Sequence, residues 1–187
     1  MNLADQERAD AAIDSYNDRP QKDLDFNHPG KAFLNGHQYI IFGYKDDLST
    51  GFHGTAYQQF DAPHDIIIAY RGTDPDLLHH TRTTVSDAVA DLTMVRDRVN
   101  PQKAAADSFT REMLDKAHAR GISKDHITVT GHSLGGALAQ IEAAEFGLRG
   151  ATFNAYGAVS LSHHVPEGGR QVTNLPMRLH DHRGLRA

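Results

Sequence analysis

One serine of this chain stands in a pattern that could make it a nucleophile. Residues 131–135, GHSLG, match G-x-S-x-G, in which the serine occupies a tight turn between a strand and a helix. Such a turn holds Ser133 in a sparsely populated backbone conformation that costs about 1–3 kcal/mol. Glycines two positions before and after Ser133 avoid a collision as the strand and the helix fold back on each other. We therefore expect the Ser133 hydroxyl to be presented above the edge of a sheet.

A nucleophilic serine needs other groups around it. Its hydroxyl is weak at neutral pH, so it requires a histidine as base and a carboxylate that holds the tautomer of that histidine. Backbone N–H groups must also stabilise the oxyanion that forms during the reaction. The amide of Leu134 begins the helix after Ser133, where the helix dipole favours negative charge. The second N–H donor should come from the turn after a neighbouring strand, and Thr73 is the candidate there.

The residues on either side of the motif predict the strand and the helix that it requires. Ile127 and Val129 alternate with threonines, as in a strand, and an apolar stripe then continues as a helix up to Gly147. A continuous apolar run over 65–71 predicts another strand, buried on both faces. Alternation of strands and helices indicates an α/β sheet that is mostly parallel in its centre. The strands expected there cover 65–71, 126–130 and 151–155.

Further elements are expected on both sides of this centre. The first residues predict an amphipathic helix that covers one edge of the core. Aromatic segments separated by turn formers predict a hairpin, which makes the sheet mixed. Pro176 places the last strand at an edge or a bulge. These elements cover 3–18 (helix), 20–30 (loop), 37–44 and 51–60 (hairpin) and 170–180 (last strand).

Two helices are expected between the first two central strands. Apolar residues at helical spacing predict the first, with Thr84 as its cap. Asn100 is expected to cap the second, with Pro101 in its first position and Gly121 at its end. Proline is favoured in that first position because its missing N–H would have no partner there.

Composition narrows the class of protein. The chain has 187 residues and a net charge of −5, which indicates one soluble domain and gives no reason to expect nucleic acid as a partner. Cysteine is absent, and the 13 histidines lack the spacing of metal ligands, so neither a metal nor a cofactor is expected. No apolar run could span a bilayer, and the acidic, polar first residues argue against a secretory signal. We expect a cytoplasmic protein, or one exported by a secretion system that needs no signal peptide.

Three motifs occur together in this chain: 68–73 (IAYRGT), 86–92 (SDAVADL) and 127–139 (ITVTGHSLGGALA). In their order and approximate spacing they resemble the class 3 (fungal-type) lipase family of α/β-hydrolases, and the similarity covers 37–181. The resemblance implies an α/β-hydrolase-like fold, with a mostly parallel (mixed) central sheet and helices on both faces.

The same resemblance implies roles for particular residues. Ser133 would be the nucleophile, and Thr73 and Leu134 would form the oxyanion hole. Residues 74–83 lie where the family carries its lid, although a plain surface loop is an equal interpretation. The implied substrate is an acylglycerol or a phospholipid, which would bring the protein into transient contact with a membrane surface.

The remaining members of the triad are harder to place. The family carries its aspartate after a late strand and its histidine later still, and Asp181 is the one aspartate downstream of the serine. No histidine follows at the family's distance, since His182 is adjacent to Asp181. We therefore expect a shortened form of a longer lipase-like protein. If His163, His164 or His180 were the base, the three triad residues would occur along the chain in an order other than Ser-Asp-His.

The chain is interpreted as a single lipase-like domain over 1–187, with an N-terminal helix and loop over 1–30 and a core over 37–181. Its N-terminal stretch and many histidines also resemble lipase-type toxic effectors that bacteria inject into competitors. The expected activity is that of a serine carboxylic-ester hydrolase that forms an acyl-enzyme. Two alternatives stay open: a truncated, catalytically impaired domain that binds lipid or a protein partner, and acyl transfer or thioester cleavage on the same fold.

Overall fold

A computed structural model describes residues 2–19, 29–61, 63–72, 88–155 and 171–176, with the backbone alone over 88–98. The described part contains a seven-stranded sheet, three α-helices and a short 3-10 helix at Lys124–His126. The helices are α1 (Leu3–Asp14), α2 (Ala88–Ala119) and α3 (Leu134–Phe146). The strands are β1 (Lys31–Leu34), β2 (His37–Asp47), β3 (Phe52–Gln59), β4 (Ile66–Tyr70), β5 (Ile127–His132), β6 (Arg149–Phe153) and β7 (Val172–Leu175).

The strands lie in the sheet in the same order as in the chain. Neighbours from β1 to β4 are antiparallel, and neighbours from β4 to β7 are parallel. Among the described strands, β2 and β4 to β7 therefore point the same way, which confirms the mostly parallel (mixed) sheet. Because parallel strands end at the same edge, the turns that follow β4, β5 and β6 lie side by side.

Side chains of β4 alternate between two cores. Ile66 and Ile68 pack with Phe109 of α2 and with α3, whereas Ile67 packs with Ala11 of α1 on the opposite face. This burial on both faces confirms what the continuous apolar run predicted. Helices cover both faces of the sheet, as the α/β-hydrolase-like fold requires.

The first helix differs from its prediction in length and place. It ends at Asp14 and not at residue 18, since the Ser15 hydroxyl turns back to donate to the carbonyl oxygen of Ala12 at 2.8 Å. Short polar side chains of this kind compete with helical backbone bonds. The helix lies across a face of the sheet and not along an edge, and its Arg8 carbonyl accepts a hydrogen bond from Thr130 of β5 at 3.0 Å.

The predicted start of a second helix at Asn100 and Pro101 is wrong, although the helix does end just before Gly121, whose φ is 73°. One helix, α2, runs through Pro101 without a break. An interior proline costs about 3 kcal/mol because it removes a backbone hydrogen bond. Val99 before the proline and Phe109 after it are buried in the same core, and this packing holds the helix continuous. The predicted cap Thr84 lies outside the described residues.

The hairpin and the last strand are confirmed, and the sheet contains one further strand that the sequence patterns above do not predict. β2 pairs antiparallel with β3, and β7, just before Pro176, forms one edge of the sheet that the described strands make. The further strand, β1, joins β2 through Asn35 and Gly36, whose φ angles are 49° and 82°. Asn-Gly between two strand segments is a strong hairpin signal because both residues tolerate positive φ.

Candidate active site

Ser133 lies in the turn between β5 and α3, at the edge where the parallel strands end. Its φ of 55° and ψ of −122° lie outside the common regions for a residue with a side chain. The turn is held by a hydrogen bond from the Ser133 amide to the Phe153 carbonyl of β6 at 3.1 Å. Serine at the first turn of a helix usually caps it, yet the Ser133 side chain makes no capping hydrogen bond. The predicted elbow is therefore present in the backbone.

The glycines of the motif allow strand and helix to touch through their backbones. A β-carbon on Gly131 would lie 2.4 Å from the carbonyl oxygen of Gly135. A β-carbon on Gly135 would lie 2.0 Å from the carbonyl oxygen of Tyr70, at the end of β4. Both distances are far shorter than van der Waals contact. The collision between strand and helix that the sequence predicted is thus found at Gly131, whereas at Gly135 the helix would collide with the end of the neighbouring strand β4.

Leu134 is buried and is the first residue of α3. Next to it, the turn after β4 comes close to the start of α3: a β-carbon on Gly72 would lie 3.4 Å from the Gly135 amide nitrogen and 2.5 Å from the His132 carbonyl oxygen. The first N–H groups of a helix have no partner within it and attract negative charge. The structure therefore brings Ser133, Leu134 and the residue before Thr73 together.

Several predicted residues lie outside the described part of the chain. They include the second oxyanion candidate Thr73 and the candidate triad aspartate Asp181. The predicted lid over 74–83 lies there as well. So do the four candidate bases: His163, His164, His180 and His182.

Two residues near the elbow were not anticipated from the sequence, Tyr16 and His132. The Tyr16 hydroxyl lies 3.3 Å from Nδ1 of His132, the residue directly before Ser133. Burial lowers the pKa of His132, so its ring is neutral at neutral pH. Sequence periodicity could not have found this contact, because the two residues are 116 positions apart.

Arg71, directly after β4, connects the same region to the chain beyond α1. Its guanidinium donates to Oδ1 of Asp18 at 2.9 Å and lies over the ring of Tyr16, 5.6 Å from the centroid. It also lies 3.3 Å from Nδ1 of His53. Burial, with the charge of Arg71, lowers the pKa of His53 to about 4. His53 is therefore an uncharged partner at neutral pH.

The described residues hold neither a cluster of metal ligands nor a membrane-spanning helix. In the part of the chain that the structure covers, no three histidine, aspartate or glutamate side chains are grouped as metal ligands. None of the described helices is long and apolar enough to cross a membrane.

Residues 7–169 match the family model of the Tle-like phospholipase domain, described as phospholipase-like. The chain belongs to this family. As a Tle-like phospholipase domain, it is a lipase-like protein, which confirms the resemblance that the three sequence motifs carried. A comparison with curated proteins gives no significant match.

Solved structures similar to this Tle-like phospholipase domain include three lipases. A triacylglycerol lipase from Penicillium expansum has 20% identity and a TM-score of 0.50, with 82% of this chain and 60% of that chain covered. Extracellular lipase LipA from Serratia marcescens has 19% identity and a TM-score of 0.40, with 79% and 25% covered. The Rhizomucor miehei lipase in its propeptide complex has 19% identity and a TM-score of 0.39, with 63% and 41% covered.

At this identity the Penicillium expansum structure supports the fold alone, which is the predicted α/β-hydrolase type. The chain spans a quarter to three fifths of the length of these three proteins.

Proposed function

We propose that this domain hydrolyses carboxylic esters of lipids, either acylglycerols or phospholipids, with Ser133 as its nucleophile. The proposal rests on the backbone conformation of Ser133. A positive φ on a serine, between a parallel strand and a helix, is a strained arrangement that nucleophile elbows use. The family match supports a lipid ester as the class of substrate.

In the proposed reaction, the Ser133 oxygen attacks the ester carbonyl while a histidine takes the hydroxyl proton. The tetrahedral intermediate then expels the alcohol, which receives that proton, and leaves an acyl group on Ser133. Water activated by the same histidine attacks the acyl-enzyme and releases the fatty acid and the free serine. Asp181 would orient the histidine.

The oxyanion of both tetrahedral intermediates would be held by the amides of Leu134 and Thr73. Two features support these roles. Leu134 begins α3, so its N–H is one of the groups without a helical partner. Gly72, the residue before Thr73, is packed against the His132 carbonyl at the elbow. Donors fixed in this way lower the barrier because they need no rearrangement as charge develops.

The first experiment measures hydrolysis of a short-chain chromogenic ester by the full chain and by Ser133→Ala. The matched control is Ser49→Ala, since Ser49 lies in the exposed turn after β2 and its hydroxyl donates to Oδ1 of Asp47 at 2.6 Å. We expect Ser133→Ala to abolish hydrolysis and Ser49→Ala to retain it. Triacylglycerol emulsions and phosphatidylcholine vesicles then decide between the two lipid classes.

A second readout does not require turnover. A fluorophosphonate probe should add its phosphonyl group to wild type and Ser49→Ala, with one adduct found on Ser133 by mass spectrometry. Circular dichroism verifies that each variant is folded. Folded wild type that neither hydrolyses esters nor takes the probe would contradict the proposal and favour an impaired domain that binds lipid or a protein partner.

Two further parts of the proposal concern where the domain acts. Transient contact with a lipid surface would follow from the substrate class, and sedimentation with phospholipid vesicles measures it. Action in the cytoplasm, or export without a cleaved signal, stays a prediction. Secretion of the tagged full chain from its native cell is the measurement that checks it.

A further inference from the structure

The Tyr16 hydroxyl lies at the junction of the two turns that the proposed reaction depends on. It is 3.3 Å from Nδ1 of His132, the residue before the nucleophile Ser133. It would also be only 2.6 Å from a β-carbon on Gly72, the residue before the oxyanion candidate Thr73. One hydroxyl group therefore touches the base of both turns.

The ring that carries this hydroxyl is held in place from several sides. The guanidinium of Arg71 lies over the Tyr16 ring, and the His132 ring meets it edge to face with centroids 6.4 Å apart. The Tyr16 amide donates to the carbonyl oxygen of Ile13 in α1 at 3.1 Å. Asp18 in turn holds the Arg71 guanidinium at 2.9 Å. These contacts place the Tyr16 ring between the end of α1 and the turn after β4.

The Tyr16 hydroxyl is one of the atoms that surround Gly72 closely. The Cα of Gly72 fits between the His132 carbonyl, the Gly135 amide and the Tyr16 hydroxyl, with no room for a side chain. Of these three neighbours, the first two belong to the elbow itself, and only Tyr16 comes from another element. Tyr16 thus approaches the contact between the turn after β4 and the turn after β5 from a separate part of the chain.

We infer that Tyr16 is a positioning residue, which sets the spacing between the nucleophile turn at Ser133 and the turn after β4 at Gly72, the residue before the oxyanion candidate Thr73. This inference rests on the proposed function. Donors that stabilise an oxyanion must be placed within a fraction of an ångström, and a misplacement of about 1 Å can cost about a hundredfold in rate. Tyr16 acts through its neighbours and does not take part in the chemical step.

The test is Tyr16→Phe, which keeps the ring under Arg71 and removes only the hydroxyl. The matched control is Tyr44→Phe. Tyr44 packs against the same core as α1, and its hydroxyl accepts a hydrogen bond from the Arg19 amide at 3.1 Å. We expect kcat for ester hydrolysis to fall about tenfold in Tyr16→Phe with KM unchanged. Tyr44→Phe should retain the wild-type kcat.

A second readout is independent of activity. Hydrogen exchange of the Arg71 and Gly72 amides, followed by NMR, should become faster in Tyr16→Phe and stay unchanged in Tyr44→Phe. If wild type hydrolyses no ester, the proposed function fails, and the exchange rates alone decide the role of Tyr16. Unchanged exchange at Gly72, or equal kcat in the two variants of an active enzyme, would overturn the inference even if Tyr16→Phe lowered the melting temperature.

Discussion

A β-carbon on Gly131 would lie 2.4 Å from the carbonyl carbon of Gly135. The end of β5 and the first turn of α3 therefore pack backbone against backbone, with Ser133 between them. Each of the two glycines is needed for a steric reason, because the atoms that a side chain would meet are main-chain atoms that cannot move aside.

Gly131→Ala is expected to destabilise the protein by at least about 1–3 kcal/mol, the usual cost of forcing an extra group into a packed interior. Gly43→Ala is the matched control in β2, where a β-carbon would meet the thioether of Met113. Methionine adapts its rotamer, so the control should cost less. Chemical unfolding measures both. Equal losses in the two variants would argue against a rigid elbow.

Ser133→Gly and Ser133→Ala should differ in stability although both lack the nucleophile. Alanine keeps the β-carbon that makes the φ of 55° unfavourable, whereas glycine adopts such angles readily. Strain of this kind costs about 1–3 kcal/mol, and the greater freedom of glycine in the unfolded chain offsets part of the gain. We expect the glycine variant to be more stable by about 1 kcal/mol in guanidinium unfolding. No difference would mean that the turn is unstrained.

Glu142 gives the fold a dependence on pH. It is fully buried in α3, and its Oε2 accepts a hydrogen bond from Thr110 of α2 at 2.8 Å. Burial, with Asp107 beside it, raises the pKa of Glu142 from 4.5 to about 9. The folded protein therefore keeps a proton that the unfolded chain loses, and stability falls as pH rises from about 4.5 to about 9.

Glu142→Gln should remove this dependence. In wild type, Glu142 alone should lower the free energy of unfolding by up to about 1.4 kcal/mol for each unit that the pH rises. The variant should lack this contribution. Urea unfolding of both proteins at about pH 5, 7 and 8.5 measures the difference. Glu145→Gln on the same helix is the control, since Glu145 is more exposed and pairs with Lys103 at its surface. Parallel curves for wild type and Glu142→Gln would contradict the expected neutral carboxyl.

His53 should make the stability of the protein depend on pH in the acid range. Burial, and then the charge of Arg71, lower the pKa of His53 from 6.5 to about 4. Between these two pH values the unfolded chain binds a proton at His53 and the folded protein does not. The contribution of His53 to stability is present above about pH 6.5 and is lost as pH falls towards about 4. The NMR signals of the His53 ring should stay constant from about pH 8 to 5, and His53→Gln should lessen acid destabilisation. A ring that titrates near 6.5 would refute this.

Local residue patterns were sufficient to predict the strand–turn–helix around Ser133. Gly131, Ser133 and Gly135 are close in sequence, and Gly131 meets the backbone of Gly135 only four positions away, although the turn also meets Tyr70 of β4 and Phe153 of β6. The same holds for β4, whose continuous apolar run indicates burial on both faces wherever the strand lies. The prediction failed at Pro101 because a local rule, proline at a helix start, competes there with packing of α2 on a distant core.

The sequence by itself therefore determined the strand–turn–helix around Ser133, the two-sided burial of β4 and the class of the fold. Only the tertiary structure decided that Tyr16 meets both His132 and Gly72, and that Glu142 is buried beside Thr110. These contacts join residues 32 to 116 positions apart. They arise because the packing of whole elements sets the distances, and no periodicity in the chain encodes them.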